Sequence, residues 1–391
     1  MKQKSVTLII AISLLGTIVG AGIFGLPAVF SQIGILGGTI LFAAVLFVVV
    51  VLNHLYIDII YSVRGSHRLP GYMDKILGRK AYWVAIAGMI GKTSGTLLAY
   101  VILGGTFLQM LAQGLGNNYP IWMWTILFWG VGSLIVFYGI KVVSEIEGEL
   151  TWLLIGFMLF TAVILFPFIN WNAFTLIHID GFVGSIGIIF FSTTAMTVLP
   201  DLKDIAKRRQ NDFRLGTTYA VLGAGLLSWM FGVVIASVYP NVSSVADIQN
   251  AFPKIFWWLI PLVGLLAVST SFLTFTQALK NLLHIDLKIK RTPAWIISVV
   301  TPILLFAVVS QNFLQTIGFV GGVLTTLNGF MICLAAYKVL NKPQKVKNWI
   351  DHVLHREPKP GERSYWAWRY IPIPIALALS LVIIEHLITI F

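Results

Sequence analysis

The stretch Gly16-Thr17-Ile18-Val19-Gly20-Ala21-Gly22-Ile23-Phe24-Gly25-Leu26-Pro27 decides the fold. It lies inside the first long apolar segment, residues 6–33, which otherwise reads as a membrane-crossing helix. Glycines recur at 16, 20, 22 and 25, and each costs about 1 kcal/mol relative to Ala in a helix interior. In a bilayer, unwound backbone is tolerated only where it is buried in protein or lines a cavity. A break here frees N–H groups that suit a carboxylate and carbonyls that suit a cation. On their own the glycines read equally well as small-residue packing against a neighbouring helix.

Of the 391 residues, 58% are hydrophobic and 11% charged, whereas soluble domains carry about 25% charged residues. With a mean hydropathy of +0.88, the chain reads as an all-α polytopic membrane protein. The first apolar segment is too long for a secretory signal peptide, and no small-residue cleavage site follows it. The one cysteine, Cys333, lies in an apolar segment, and no Cys/His cluster has metal-ligand spacing. Neither a disulfide framework nor a cofactor is expected. The net charge of +12 is concentrated in alternate loops, which is the positive-inside pattern rather than a nucleic-acid footprint.

A span needs roughly 20 apolar residues, and about eleven such segments are present. They run over 6–33 (broken near Gly20), 35–62, 82–113, 120–140, 149–170, 182–207 (broken near Ser192 to Ala195), 213–238, 254–280, 292–310, 312–338 and 371–391. With that count, Lys2, Lys4, the 64–80 cluster, Lys141, the 203–214 cluster, 280–291 and 338–369 all fall on one side, which should be cytoplasmic. The opposite loops hold only Lys254, Asp180 and Asp247. The N-terminus is then cytoplasmic and the C-terminus extracytoplasmic. Within the basic loop 339–369, Val346, Trp349, Ile350, Val353 and Leu354 follow helical spacing. They predict an amphipathic helix on the inner membrane face or packed under the bundle.

The sixth segment has its own interruption, Phe190-Phe191-Ser192-Thr193-Thr194-Ala195-Met196-Thr197-Val198-Leu199-Pro200. A run of Ser and Thr offers side-chain partners to freed backbone groups, or simply a polar helix face. The two interruptions lie about 172 residues apart, at the start of halves with opposite membrane orientation, and such pairs point to a transporter site. The chain then reads as a single transporter domain. Spans 1–5 (6–170) and 6–10 (182–338) form a 5+5 inverted repeat with broken helices 1 and 6, and residues 371–391 add one C-terminal helix.

At this point the sequence resembles the amino acid–polyamine–organocation superfamily, most closely its aromatic and hydroxy amino acid permease (tryptophan/tyrosine permease) and amino acid/auxin permease branches. The likeness rests on 16–27, on Phe191 to Lys203 ending Val198-Leu199-Pro200-Asp201-Leu202-Lys203, on Ala267-Val268-Ser269-Thr270-Ser271-Phe272-Leu273, and on Ile317-Gly318-Phe319-Val320-Gly321-Gly322. It covers nearly the whole chain in order. It implies secondary active uptake of amino acids by alternating access, with spans 1, 2, 6 and 7 moving against a scaffold.

The resemblance also implies roles for residues. The substrate carboxylate would meet the N–H groups of Ala21, Gly22 and Ile23 beside Gly20, where a half-helix start and the lack of obstructing side chains favour an anion. The ammonium would meet carbonyls and hydroxyls of Phe191, Ser192 and Thr194, with Thr17 a further candidate. Tyr100 would place a hydroxyl near the carboxylate or act as a core aromatic; Phe191 would cover the substrate or pack in the core. As in sodium-coupled relatives, the Thr270 and Ser271 hydroxyls with the Gly16, Val19 and Ala267 carbonyls would hold Na+. Alternatively these hydroxyls bond back to their own helix. Some proton-coupled relatives use a lysine on the fifth helix, and segment 149–170 has none.

Lys92 lies about ten residues, or about 15 Å, into the third span. A charge there is costly and usually functional. It would carry a coupling proton, or else snorkel to the inner interface or pair with a carboxylate. Asp58 reads as an interfacial charge at the end of the second span, and Glu385 as one near the outer end of the last. Glu145, Glu147 and Glu149 read as solvated loop charges or inner gate partners of Lys141 or Lys203. His54 and His284 read as inner-face polar residues.

The expected function is ion-coupled (H+ or Na+) symport of neutral, hydrophobic or aromatic amino acids. The partners are the amino acid and the lipid bilayer, with no nucleic acid, and the working unit is a monomer in a plasma membrane, prokaryotic by its short loops. The alternative is an amino acid sensor of the same fold, signalling to a cytoplasmic partner. An enzyme would need clustered acids, His or metal ligands, an ATP-driven pump a phosphate loop, and a channel a filter. The sequence shows none of these.

Overall fold

The computed structural model describes residues 3–65, 67–138, 141–175, 177, 181–207, 209–309, 311–341 and 370–390, with only the backbone at 3–5, 138, 141–150, 175, 389 and 390. The expected amphipathic helix of 339–369 falls almost wholly outside these residues. So do Lys2, Asp180 and the side chains of Lys141, Glu145, Glu147 and Glu149.

The fold is all-α. The first apolar segment folds as α1 (Gln3–Ile18) and α2 (Leu26–Ile33), joined through a bend at Val19–Gly20 and a 3-10 turn over Ala21–Gly25. There follow α3 (Ile35–Ser62), α4 (Leu69–Leu77), α5 (Arg79–Gly114), α6 (Ile121–Tyr138) and α7 (Lys141–Leu165). The sixth segment folds as α8 (Phe182–Thr193) and α9 (Leu199–Ala206), separated by Thr194, Ala195 and a 3-10 turn over Met196–Val198. The chain continues through α10 (Gln210–Val238), α11 (Leu259–Asn281), α12 (Arg291–Val308), α13 (Phe313–Phe319), a π-helical stretch Val320–Thr325, α14 (Thr326–Leu340) and α15 (Pro372–Ile390).

Among the described residues, eight helices are long and apolar enough to cross a membrane, and the pair Val6–Ile18 and Ala21–Ile33, bent by 46°, makes up to nine. Ile121–Phe137 and Pro372–Ile388 are apolar but shorter. They stand where the fourth and eleventh spans are expected.

Local chemistry explains the breaks. Gly20 is extended (φ −138°, ψ −159°), so α1 cannot continue through it. Each broken segment then resumes at a Leu-Pro pair, Leu26-Pro27 and Leu199-Pro200, in the first turn of the new helix. Proline is tolerated there because its missing N–H would have no intrahelical partner. The link between α2 and α3 is Gly34 alone, at φ +79°, a conformation that L side chains rarely adopt.

Packing brings the two breaks together. α1 lies along α10, α5 along α11, and α8 against the 3-10 turn of the first break and the π-helical stretch. The last contact is backbone on backbone: a methyl on Gly187 would run into the Gly318 carbonyl, and one on Gly321 into the Gly187 carbonyl. Small residues allow such close helix crossings in membranes. α15 packs on α14 and seats His386 against Gly322.

Asp58 corrects its sequence reading. It is buried and ion-paired with Arg214 of α10, while Gln210 Nε2 donates to the same carboxylate oxygen at 2.9 Å. A carboxylate at the end of a span stays buried when a neighbouring helix supplies a guanidinium at the same depth. His54, one turn earlier, lies 2.8 Å from the Thr218 hydroxyl. Lys203 donates to the Ile60 and Gly65 carbonyls, both at 3.0 Å, tying α9 to the end of α3.

Candidate functional site

A cavity of about 160 Å³ lies between the two breaks and extends toward the end of the molecule that carries Arg68 and Asp201. This is small beside the roughly 300–1,000 Å³ of drug-sized sites. From the first break it is lined by Gly16, Thr17, Gly20, Ala21 and Gly22, and from the sixth by Phe191, Ser192 and Thr194. Tyr100 and Lys92 of α5 and Ser271 of α11 complete the residues expected from sequence.

Residues 19–20 leave the helix without forming a hydrogen-bonded turn, and the N–H groups of Gly20, Ala21 and Gly22 have no backbone partner among the described residues. These are the orphan donors of a helix start, a type of group that in general favours an anion. The Ile23 N–H differs: it donates to the Gly20 carbonyl at 3.2 Å, and Ile23 is buried away from the cavity wall.

Across the cavity, the Thr194 hydroxyl is buried and has no hydrogen-bond partner among the described residues. It stands at the end of α8, whose last carbonyls also lack intrahelical donors. The Ser192 hydroxyl is instead engaged, 2.8 Å from both the Gly22 and the Ile188 carbonyls. It has one proton to give and thereby links the sixth break to the first. That contact explains Gly22, where a methyl would come within 2.9 Å of Ser192 Cα. Phe191 is half-buried on the wall. Tyr100 is buried, its ring edge-on to Phe275 with centroids 5.6 Å apart, and it lines the cavity together with Ser271.

The residues expected to hold a cation are not all gathered. Gly16 and Ser271 reach the cavity; Val19, Ala267 and Thr270 do not line it. The Thr270 hydroxyl bonds back to its own helix at the Ala267 carbonyl (3.1 Å), and Ser269 does the same at Leu265 (2.7 Å).

Lys92 is 7% exposed, so it does not snorkel. Its Nζ lies 3.4 Å from the Thr197 hydroxyl, and among the described residues it makes no ion pair. Thr197, Thr93, Thr96, Arg68, Asp201 and Thr274 also line the cavity without having been singled out from sequence. Thr96 and Lys92 fall on the Tyr100 face at i, i+4 spacing, the signal that would have found them. Arg68 pairs with Asp286 at 3.4 Å, and the Tyr82 hydroxyl donates to the Asp286 carbonyl at 3.2 Å. These contacts tie the segment before α4 and the start of α5 to the π-helical turn Leu282–Asp286 that follows α11.

Known proteins share this sequence pattern and fold. The sequence model of the tryptophan/tyrosine permease family matches residues 2–349. Glutamine transporter 2 of Aliivibrio fischeri is 22% identical over 348 residues, covering 85% of this chain and 89% of that protein. Mhp1, a nucleobase-cation-symport-1 family transporter, in a closed conformation with bromovinylhydantoin bound, superposes with a TM-score of 0.59 at 12% identity, covering 98% of this chain and 89% of that one. The inward-facing conformation of Mhp1 gives the same TM-score of 0.59 at 13% identity, covering 98% and 88%. At such identities the likeness is one of fold.

Proposed function

The chain belongs to the tryptophan/tyrosine permease family, and on that premise we propose that it imports a neutral amino acid by ion-coupled symport. The observation that carries this reading is the pairing of unlike ends in one small cavity. Unmet N–H groups at Gly20, Ala21 and Gly22 face it from one break, and the free Thr194 hydroxyl faces it from the other. A zwitterion needs donors and acceptors at a fixed short separation, and two helix interruptions side by side supply them. The carboxylate binds at the first break, in reach of Tyr100 and Ser271. The ammonium binds at Thr194 and the Phe191 carbonyl, with Thr17 beside it.

The family is named for tryptophan and tyrosine and the Aliivibrio relative for glutamine, so the substrate class is neutral amino acids with the hydrophobic and aromatic ones first. The coupling ion is H+ or Na+. The basic face is cytoplasmic by the positive-inside rule, and the protein works as a monomer in the plasma membrane. Transport proceeds as spans 1, 2, 6 and 7 rock about the fixed site.

The test is uptake into proteoliposomes of labelled tryptophan, tyrosine, leucine, serine and glutamine under an inward proton gradient, an inward sodium gradient or neither. Concentrative uptake of at least one under one gradient is the expected result. Saturable binding without uptake would replace transport by sensing, and neither binding nor uptake would remove the amino acid assignment.

A further inference from the structure

Beside the main cavity lies a second, of about 20 Å³, and Lys92 and Thr197 line both. Thr325 and Asn328, from the tenth span, line the second. Thr325 is 0% and Asn328 5% exposed, yet Thr325 Oγ1 and Asn328 Oδ1 have no hydrogen-bond partner among the described residues. A buried polar atom left unpaired carries its desolvation penalty in full, so each is owed a partner.

Lys92 is placed to be that partner. Helical side chains lean toward the N-terminal turn, so the Lys92 stem runs over the turn of Gly88. Asn328 Oδ1 sits at that turn, 2.9 Å from where a methyl on Gly88 would be. An ammonium has three donors and no acceptor; its one contact here is Thr197 Oγ1 on the sixth-span break, at 3.4 Å, and two further uncharged oxygens, Thr325 Oγ1 and Asn328 Oδ1 on the tenth span, line the same small cavity without a partner among the described residues. The ionisable groups sharing the two cavities are Tyr56 on α3, Tyr100 on α5, Arg68 before α4 and Asp201 on α9. None is a carboxylate within ion-pair distance of Lys92. A buried ammonium held by neutral oxygens alone lacks the compensation an ion pair gives, which keeps the uncharged amine in competition with it.

We propose that Lys92, in the small cavity that it shares with Thr197, Thr325 and Asn328, carries the coupling proton. The proposal rests on the symport reading above and narrows its ion to H+. The Lys92 amine lone pair takes a proton from water on one side, forming an N–H bond. Breaking that bond returns the proton to water on the other side, and nothing is oxidised or reduced. Thr197 belongs to the break of a moving helix, whereas α5 and α14 lie outside the moving bundle. The charged form therefore holds the break against α5 and α14, and the neutral form, with fewer donors to give, releases it.

The experiment compares wild type, Lys92→Gln and Asn328→Asp in proteoliposomes, by counterflow of a labelled amino acid and by accumulation under a pH gradient. For one proton per substrate, one pH unit supports an accumulation ratio of about tenfold. In K92Q the ratio falls to about one while counterflow stays measurable. In N328D a carboxylate beside the amine holds its proton more tightly, so the midpoint of the pH dependence moves up by about 1 unit or more. N328D carries the test if K92Q does not fold. Proton-driven accumulation by K92Q, an unmoved midpoint in N328D, or accumulation by wild type driven by sodium alone overturns the assignment and leaves transport standing. Absence of counterflow in wild type overturns both.

Discussion

Gly20 and Gly22 lie two residues apart in the same bend, and alanine at each should do opposite things. A methyl on Gly22 meets Ser192 Cα at 2.9 Å, Oγ at 3.0 Å and Cβ at 3.2 Å. The first contact is with backbone, so the two breaks must separate. Overpacking of this kind costs about 1–3 kcal/mol. Separation also strips the buried Gly22 carbonyl of the Ser192 hydroxyl, about 1 kcal/mol more. For a chain of 391 residues the unfolding entropy is about 0.8 kcal/mol per kelvin. A loss of about 3 kcal/mol therefore lowers Tm by about 4 °C. A methyl on Gly20 meets nothing closer than Ser271 Oγ at 3.8 Å, and its φ of −138° suits any residue. G20A should hold Tm within about 1 °C, but its methyl stands over the free N–H groups and weakens amino acid binding by about tenfold, one hydrogen bond's worth. Melting of the detergent-purified proteins and binding of the transported amino acid measure the two effects. Equal melting of G22A and wild type, or unchanged affinity in G20A, would refute the assignment of Gly22 to the helix junction or of the Gly20 region to the carboxylate.

Removing one partner of the Asp58–Arg214 pair leaves a buried charge uncompensated, so R214M should cost about 3–5 kcal/mol and lower Tm by about 5 °C. The double variant D58L/R214M should recover more than half of that in the same melting assay. Because the Thr270 hydroxyl closes on its own helix, T270A should change any sodium dependence of uptake by less than about twofold, whereas S271A should lower substrate affinity by about tenfold. In the loop between α10 and α11, burial raises the Asp247 carboxyl. Hydrogen bonds from the Ser243 backbone and hydroxyl and from Ser244 outweigh it, so the net shift is downward. That contribution is present above the ordinary Asp range near 4 and is lost as pH falls through the lowered folded value. The difference in melting between D247N and wild type should accordingly shrink as the medium is acidified below about pH 4.

Both helix breaks were legible because their causes are local: clustered glycines at one, and serine and threonine before Leu-Pro at the other. Depth was legible too, since Lys92 falls well inside an apolar run. Partners were not. Asp58 read as an interfacial charge because nothing near it in sequence announces Arg214 on α10. The ambiguity at Thr270 and Ser271 split by position: neighbours on one helix point in different directions, and only Ser271 meets the cavity. Asn328 and Thr325 went unremarked, although a polar amide inside a spanning segment is rare enough to be a signal. Ile23 was expected to offer its N–H, but the 3-10 turn spends it on Gly20.

The lengths of adjacent helices carry one more consequence. α5, with 36 residues, is about 54 Å long, while α6 and α12 beside it have 18 residues each and reach about 27 Å. The hydrocarbon core of a bilayer is about 30 Å thick, and about 40–45 Å with its headgroups. α5 therefore exceeds both thicknesses and must tilt or project, whereas α6 and α12 fall just short of the hydrocarbon core. In a thicker bilayer the mismatch, a fraction of a kcal/mol per Å, falls on α6 and α12. Acyl-chain length thus acts on this protein through helices that do not line the cavity.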